Sequence, residues 1–448
     1  MIATLAPVTA PVRAARLRAA YRFELVKLLA QGRVRTVLLV CLVAPAGFVA
    51  VISQQSSLPT DTVFGRWMHA TGWAGPLVVL AFACSWGLPL LVSLVAGDSF
   101  AMEDRLGTWR HLMVAVRSPR RIFAAKALAS LTVILLLVVC LAGSSVVGGL
   151  AAVGSHPLVG LDGHTLTTAE AARTLLLAWL CVLAPTLAFA AVGLLGSVVL
   201  GRSPMGLLVP AVLALAMALV LLLPVPVAVR LALPSNTFQA WRGLYTDPAE
   251  TGPLLIGVLV GLVWAVVATA LAYVLFLRRD FTDLSNDGAD RRTLVVASLP
   301  LVALVAVSAL IVTVATPASG TGIEKAKLER SLAKSFAHLY VVQTQQLNRP
   351  AVTEAQLRAG AICDKGGSRV DDHGPGNDWR CVVTWHLPGS TATGSAIYQL
   401  DVAAEGRYVA DGDGPKEVNG SFQVRTATGD APNPLWQIDG YVDLLDHI

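Results

Sequence analysis

Seven apolar stretches, each roughly 18 residues or longer and thus long enough to cross a bilayer as a helix, occupy most of the first 315 residues. They run near 36–53, 75–97, 127–150, 174–200, 205–229, 254–277 and 293–315. These runs are apolar on all sides, so they need lipid or one another around their whole circumference. Composition agrees: 55% of residues are apolar, 14% are charged, and the mean hydropathy is +0.64. Soluble domains have roughly 45–50% and 25%. The expected class is an α-helical integral membrane protein.

Basic residues fall on alternate connections. The N-terminal segment, the connection after the second run, Arg202, and the connection from Arg278 to Arg292 together hold 18 Lys and Arg, whereas the opposite connections hold only Arg66, Arg173, Arg230 and Arg242. This bias places the N-terminus in the cytoplasm, and seven crossings then leave the C-terminus outside. The net charge of +5 accordingly faces anionic inner-leaflet lipid rather than nucleic acid. The first run begins near residue 36 and is long enough to span, so a cleaved signal peptide is not expected.

Cys41, Cys84, Cys140 and Cys181 lie within apolar runs and suit small core positions. Cys363 and Cys381 stand alone in the polar C-terminal region. A pair outside the membrane is expected to form a disulfide; two free thiols in a cytosolic domain, with an even number of spans, is the alternative.

The chain divides into residues 1–35, a cytoplasmic N-terminus with an interfacial helix; 36–280, a six-span core; 281–315, a cytoplasmic linker and seventh span; and 316–448, an extracytoplasmic α+β domain. In the N-terminal helix Leu17, Tyr21, Leu25 and Leu28 form one apolar stripe and Ala19, Phe23, Val26 and Ala30 a second, as suits a helix between lipid and protein. Pro224, Pro226 and Pro234 break an apolar outer connection that is expected to dip into the outer leaflet, with Trp241 and Tyr245 at headgroup level. After Thr316-Pro317 the spacing of Ile323, Leu328, Leu332, Phe336 and Leu339 predicts a helix over 323–347. Alternation at Arg380–His386, Ala396–Val402 and Ser421–Arg425 then predicts a small antiparallel sheet.

The connection from Asp98 to Arg121 carries the most chemistry. Met102, Leu106, Trp109 and Met113 recur as a narrow apolar stripe backed by Glu103, Arg110 and His111, predicting a short amphipathic helix tilted at Gly107 and stopped before Ser118-Pro119. The order Glu103, Leu106-Gly107-Thr108, Arg117-Ser118-Pro119-Arg120 and Lys126 resembles the pattern that follows the second span in type 2 membrane subunits (permeases) of ATP-binding-cassette (ABC) exporters. Glu24-Leu25-Val26-Lys27 resembles the family's N-terminal helix. The likeness covers residues 14 to 280; the seventh span and the C-terminal domain depart from it.

The resemblance implies a transport subunit working as a permease dimer with two separate ATP-binding subunits. Met102, Leu106 and Trp109 would pack against such a partner, with Glu103, Arg105 and Arg110 forming ion pairs at the rim. Thr108, Arg117, Pro119, Arg120 and Lys126 complete the motif. Glu24 and Lys27 would brace the N-terminal helix against this loop or form a solvated pair.

The chain lacks the phosphate-cradling motif Gly-x-x-x-x-Gly-Lys-Ser/Thr, so ATP and magnesium belong to a partner. The runs carry no ionisable residue at midplane, which disfavours ion-coupled transport and suits a hydrophobic or amphipathic cargo such as a drug, an antibiotic or a lipid-like molecule. Trp86, Pro89, Ser93 and Phe189 are candidates to line its path, ordinary packing being the alternative. Cys363, Asp371, Asp372, His373, Asp378 and Cys381 cluster, and Asp411-Gly412-Asp413-Gly414 looks like part of a calcium loop but has no terminal glutamate at the required spacing; no metal is expected. The competing function is a membrane-anchored sensor or assembly factor whose outer domain binds a ligand.

Overall fold

The computed structural model describes residues 15–55, 63–201, 205–279, 291–315, 320–367, 370–386, 391–427 and 429–445. Arg13, Arg202, the linker from 281 to 290 and Thr316-Pro317 lie outside them. The described chain is mostly helical, with a C-terminal β-sheet region.

α1 (Leu17–Ala30) turns at the extended Gln31 into α2 (Gly32–Ser53). α3 (Val63–Ala70) leads into a second passage built from α4 (Ala74–Val79), a π-helical turn Leu80–Cys84 and α5 (Ser85–Ala96). Two short helices follow, α6 (Ala101–Leu106) and α7 (Trp109–Val116), separated by Gly107 in the left-handed region at φ 63°. A single amphipathic helix was expected here; Gly107 splits it because a residue without Cβ can end α6 in that conformation.

α8 (Pro119–Ala152) starts with Pro119 in its first turn, where a missing N–H costs nothing. A small hairpin, β1 (Leu158–Val159) and β2 (Thr165–Leu166), precedes α9 (Thr168–Val199), whose start is fixed by reciprocal bonds between Thr167 and Glu170.

α10 (Met205–Leu221) ends before Pro224 and Pro226, and the chain folds back as α11 (Val227–Leu231), α12 (Pro234–Ala240) and a 3-10 turn Trp241–Tyr245. α13 (Gly252–Leu277) and α14 (Arg291–Ala315) complete the bundle. Among the described residues, six helical segments are long and apolar enough to cross a membrane. The fifth run, expected over 205–229, is helical only to Leu221, so α10 falls short of the length the other six reach.

Small residues let the helices approach closely. A Cβ on Gly148 would come within 2.5 Å of the Ala46 backbone, and one on Gly149 within 2.0 Å of the Gly72 carbonyl oxygen.

In the C-terminal domain α15 (Lys325–Gln346) is followed by α16 (Glu354–Leu357), β3 (Gly360–Lys365), β4 (Gly376–His386), β5 (Thr393–Val402), β6 (Arg407–Gly414), β7 (Gln423–Thr426), β8 (Gly429–Pro432) and β9 (Gln437–Tyr441). The main sheet is antiparallel in the order β3-β4-β5-β6-β9, with β7 and β8 as a separate pair. Ile323 and the α15 residues Leu328, Leu332, Phe336 and Leu339 are all buried, and Phe336 packs on Trp385 with ring centroids 4.8 Å apart. Cys363 and Cys381 face each other across β3 and β4 and are joined in a disulfide.

The segment Asp411–Gly414 is part of strand β6, paired to β5, rather than a loop. Ser421–Arg425 contributes to β7, outside the main sheet.

The domain rests on loops at one end of the bundle, here the distal end. His338 Nδ1 on α15 lies 3.1 Å from the Asp162 carbonyl oxygen, and the Val227 N–H donates to Gly320 O at 2.9 Å; beneath them the Leu161 N–H donates to Tyr245 O at 2.9 Å, joining two of those loops. Trp241 and Tyr245 are fully buried rather than lying at the surface, because they pack into the bundle core, Tyr245 against Trp67 of α3, while Val227 and Leu231 of α11 pack with the core of the sheet domain.

Candidate functional site

The opposite, basal end brings together the residues singled out in the connection from Asp98 to Lys126. α1 packs along α8 and places Glu24 beside Lys126, whose ammonium donates to Glu24 Oε2 at 2.9 Å, Glu103 Oε1 at 2.7 Å and Ser99 O at 3.1 Å. Lys27 and Thr108 also bond Glu103. The Lys126 side chain is 2% exposed and that of Glu103 0%. The ammonium lies 5.9 Å from the ring centroids of Phe100 and Trp109, so aromatic faces supply part of its solvation.

Two further carboxylates extend this network. Asp98 pairs with Arg33 at 2.7 Å and Arg105 at 2.6 Å, joining the start of α2 to the loop. Asp104 accepts from Trp109 Nε1 at 2.6 Å and from both terminal nitrogens of Arg279, at 2.8 and 2.6 Å, tying α6 to the segment just after α13. Charge-assisted, two-pronged contacts of this kind fix orientation as well as distance. Four elements separated in sequence are thereby clamped to one loop.

This geometry revises the expected roles. Glu103 and Trp109 were expected on a face meeting a partner; both are buried, Glu103 in ion pairs and Trp109 7% exposed against Phe100 and Phe276. The break at Gly107 turns Trp109 inward and leaves Leu106 outward, 63% exposed. Met102 is half-buried, with its sulfur 3.6 Å from Gln31 Nε2. Arg105, Gly107, Arg110, Arg117 and Arg120 are exposed, while Thr108 and Pro119 are half-buried. Val114, 70% exposed on α7, joins Leu106 as a second outward apolar group on the two-helix loop. Lys27 reaches Glu103 on the loop and Glu24 reaches Lys126 on α8, rather than each other.

Sequence reasoning did not single out Gln31, Arg33, Asp98, Asp104 or Arg279. The signal available was three carboxylates, Asp98, Glu103 and Asp104, crowded into a strongly basic connection.

The four residues considered for a cargo path do not form one passage within this chain. Pro89, Ser93 and Phe189 are buried, Phe189 stacked on Phe238 at 6.0 Å, while Trp86 is 51% exposed on the bundle surface. The π-helical turn before α5 changes the helical phase of the residues after it. An apolar groove of about 600 Å³ instead runs between α8, α9 and α13, lined by Ile134, Leu187, Leu194, Leu262 and Tyr273 among others.

No protein-family model matches the chain, and neither does any curated protein.

Proposed function

We propose that this chain is the transmembrane subunit of an ATP-driven ABC-type exporter, moving a hydrophobic or amphipathic substrate out of the cytoplasm or inner leaflet of a bacterial cytoplasmic membrane. The basal end is cytoplasmic and the sheet domain extracytoplasmic, as the distribution of Lys and Arg requires. ATP and magnesium are handled by a separate ATP-binding subunit, and two permease chains work together.

The observation that carries the reading is the α6–α7 loop. Ion pairs from its buried carboxylates to α1, α2, α8 and the end of α13 make it a stiff lever, while Leu106 and Val114 remain uncovered on its outer side. A push on such a loop is transmitted to several spans at once. The apolar groove between α8, α9 and α13 supports a hydrophobic cargo or a lipid contact.

The test is purification of the full chain with its native partners, alongside Leu106→Asp. Transport predicts co-purification of an ATPase whose turnover the chain stimulates, with Leu106→Asp abolishing that coupling at normal expression. Recovery of a partner with no ATPase activity would favour a sensor or assembly factor.

A further inference from the structure

The distal connections of the bundle hold only four basic residues, yet two of them, Arg230 and Arg242, line the same recess of about 280 Å³. They are 1% and 7% exposed. A guanidinium removed from water costs several kcal/mol unless it is paired, and the pairing here is incomplete. Arg230 donates at 3.2 Å to Leu221 O and Leu223 O, near the open end of α10, and its Nε has no partner. Arg242 has Glu405 at 3.8 Å, beyond hydrogen-bond distance. Burial, then the charge of Arg407, lowers the Arg242 pKa below the ordinary arginine value. Arg407, in the same recess, is engaged on one side by Asp439 at 3.0 Å. The buried carbonyl oxygen of the Gln239 side chain also lacks a partner.

The recess therefore presents three guanidiniums and one carboxylate, Glu405, in its lining. Its other wall is of opposite character. Trp86, Leu219 and Leu222 line it and are 51%, 55% and 77% exposed, on a bundle whose surface is apolar. A bare inorganic anion would leave that wall uncovered. An amphiphile would cover it while supplying the missing acceptor.

We infer that the recess where α5, α10, α12 and the β5–β6 turn meet binds an anionic amphiphile, with its phosphate or carboxylate headgroup against Arg242 and Arg407 and its hydrocarbon tail along Trp86, Leu219 and Leu222. This site goes beyond the transport reading and requires only that the bundle lie in a membrane.

The test uses the full chain in non-ionic detergent, with native mass spectrometry of bound phosphatidylglycerol against phosphatidylcholine, and thermal melting as the check on folding. Phosphatidylglycerol should be retained in preference. Arg242→Gln should lower its affinity about tenfold or more, the worth of a charge-assisted hydrogen bond, without changing phosphatidylcholine binding, and Arg242→Lys should keep part of the preference.

A second measurement leaves the arginines intact. Phosphatidylglycerol brominated in its acyl chains should quench the fluorescence lost in Trp86→Phe more strongly than brominated phosphatidylcholine does. Equal retention or equal quenching by the two lipids would overturn the assignment, as would a folded Arg242→Gln protein with unchanged preference. Displacement of phosphatidylglycerol by an equal concentration of inorganic phosphate would place the ligand in solution and overturn the amphiphile. Leu106→Asp should leave lipid preference intact, so failure of the transport reading remains distinguishable.

Discussion

Replacing Lys126 with methionine keeps most of the side-chain volume but removes the ammonium that joins Glu24, Glu103 and the Ser99 carbonyl. Glu103 retains Lys27 and Thr108, whereas Glu24, with a side chain 6% exposed, loses its ion pair. Stranding one buried partner costs about 3–5 kcal/mol, which at about 2 °C per kcal/mol for a large chain lowers Tm by about 6–10 °C. Lys27→Met is the control. That side chain is 26% exposed and Glu103 keeps Lys126, so the loss should be about 1 kcal/mol or less. Adding Glu24→Gln to Lys126→Met should recover part of the lost stability, because no isolated carboxylate remains. Melting of the detergent-solubilised variants, followed by tryptophan fluorescence, checks this order. If Lys126→Met melts no lower than Lys27→Met, or the double variant melts lower than Lys126→Met, the reasoning about the clamp is refuted.

Burial, with the charges of Asp443 and Asp162 adding to it, pushes the Glu250 carboxyl up to about 9 from its ordinary 4.5. The unfolded chain therefore gives up this proton first, and stability falls as pH rises between those values. Glu250→Gln should melt above the parent by a margin that widens from pH 5 to pH 9; a constant margin across a pH series would count against it. A membrane-impermeant maleimide should label Cys363 and Cys381 in intact cells only after reduction, and the Cys363→Ala/Cys381→Ala variant should lose about 2–4 kcal/mol of stability in the sheet domain; labelling without reduction contradicts both. Gly149→Ala would place a Cβ 2.0 Å from the Gly72 carbonyl oxygen and should cost about 1–3 kcal/mol by overpacking, whereas Gly143→Ala, with nothing within 4 Å, should be nearly neutral in the same melt.

What was legible in the chain was what local pattern encodes. Uninterrupted apolar runs located six long helices, the spacing of Leu328, Leu332 and Phe336 located the face of α15 that meets the sheet, and two cysteines in a polar region paired as expected. Strand β6 was obscured because Asp411, Gly412, Asp413 and Gly414 are poor strand formers held in place by β5. The fold-back after α10 was visible in its prolines, but the burial of Trp241 and Tyr245 depends on packing with bundle elements distant in sequence, such as Trp67 on α3. The basal clamp shows the same limit. Glu24, Glu103, Lys126, Asp104 and Arg279 are individually ordinary charges, and their pairing arises only when α1, α8 and α13 converge. Ending α6 at Gly107 then parts Leu106 from Trp109, which the spacing had placed on one face: Leu106 stays outward and Trp109 turns inward.

α14 connects the bundle to the sheet domain, yet only 11% of its apolar window is covered by the rest of the chain, compared with 67% for α9. The position of the domain relative to the bundle thus rests on its seat on the distal loops, through contacts such as those of Gly320 and His338, more than on packing of its tether against the other helices. A tether gripped so lightly can follow the bundle through a change of shape without dragging the domain from its perch. Displacements of α9 and α13 would then be felt by the sheet through the loops beneath it, as a building registers movement of its foundations before that of its stairs.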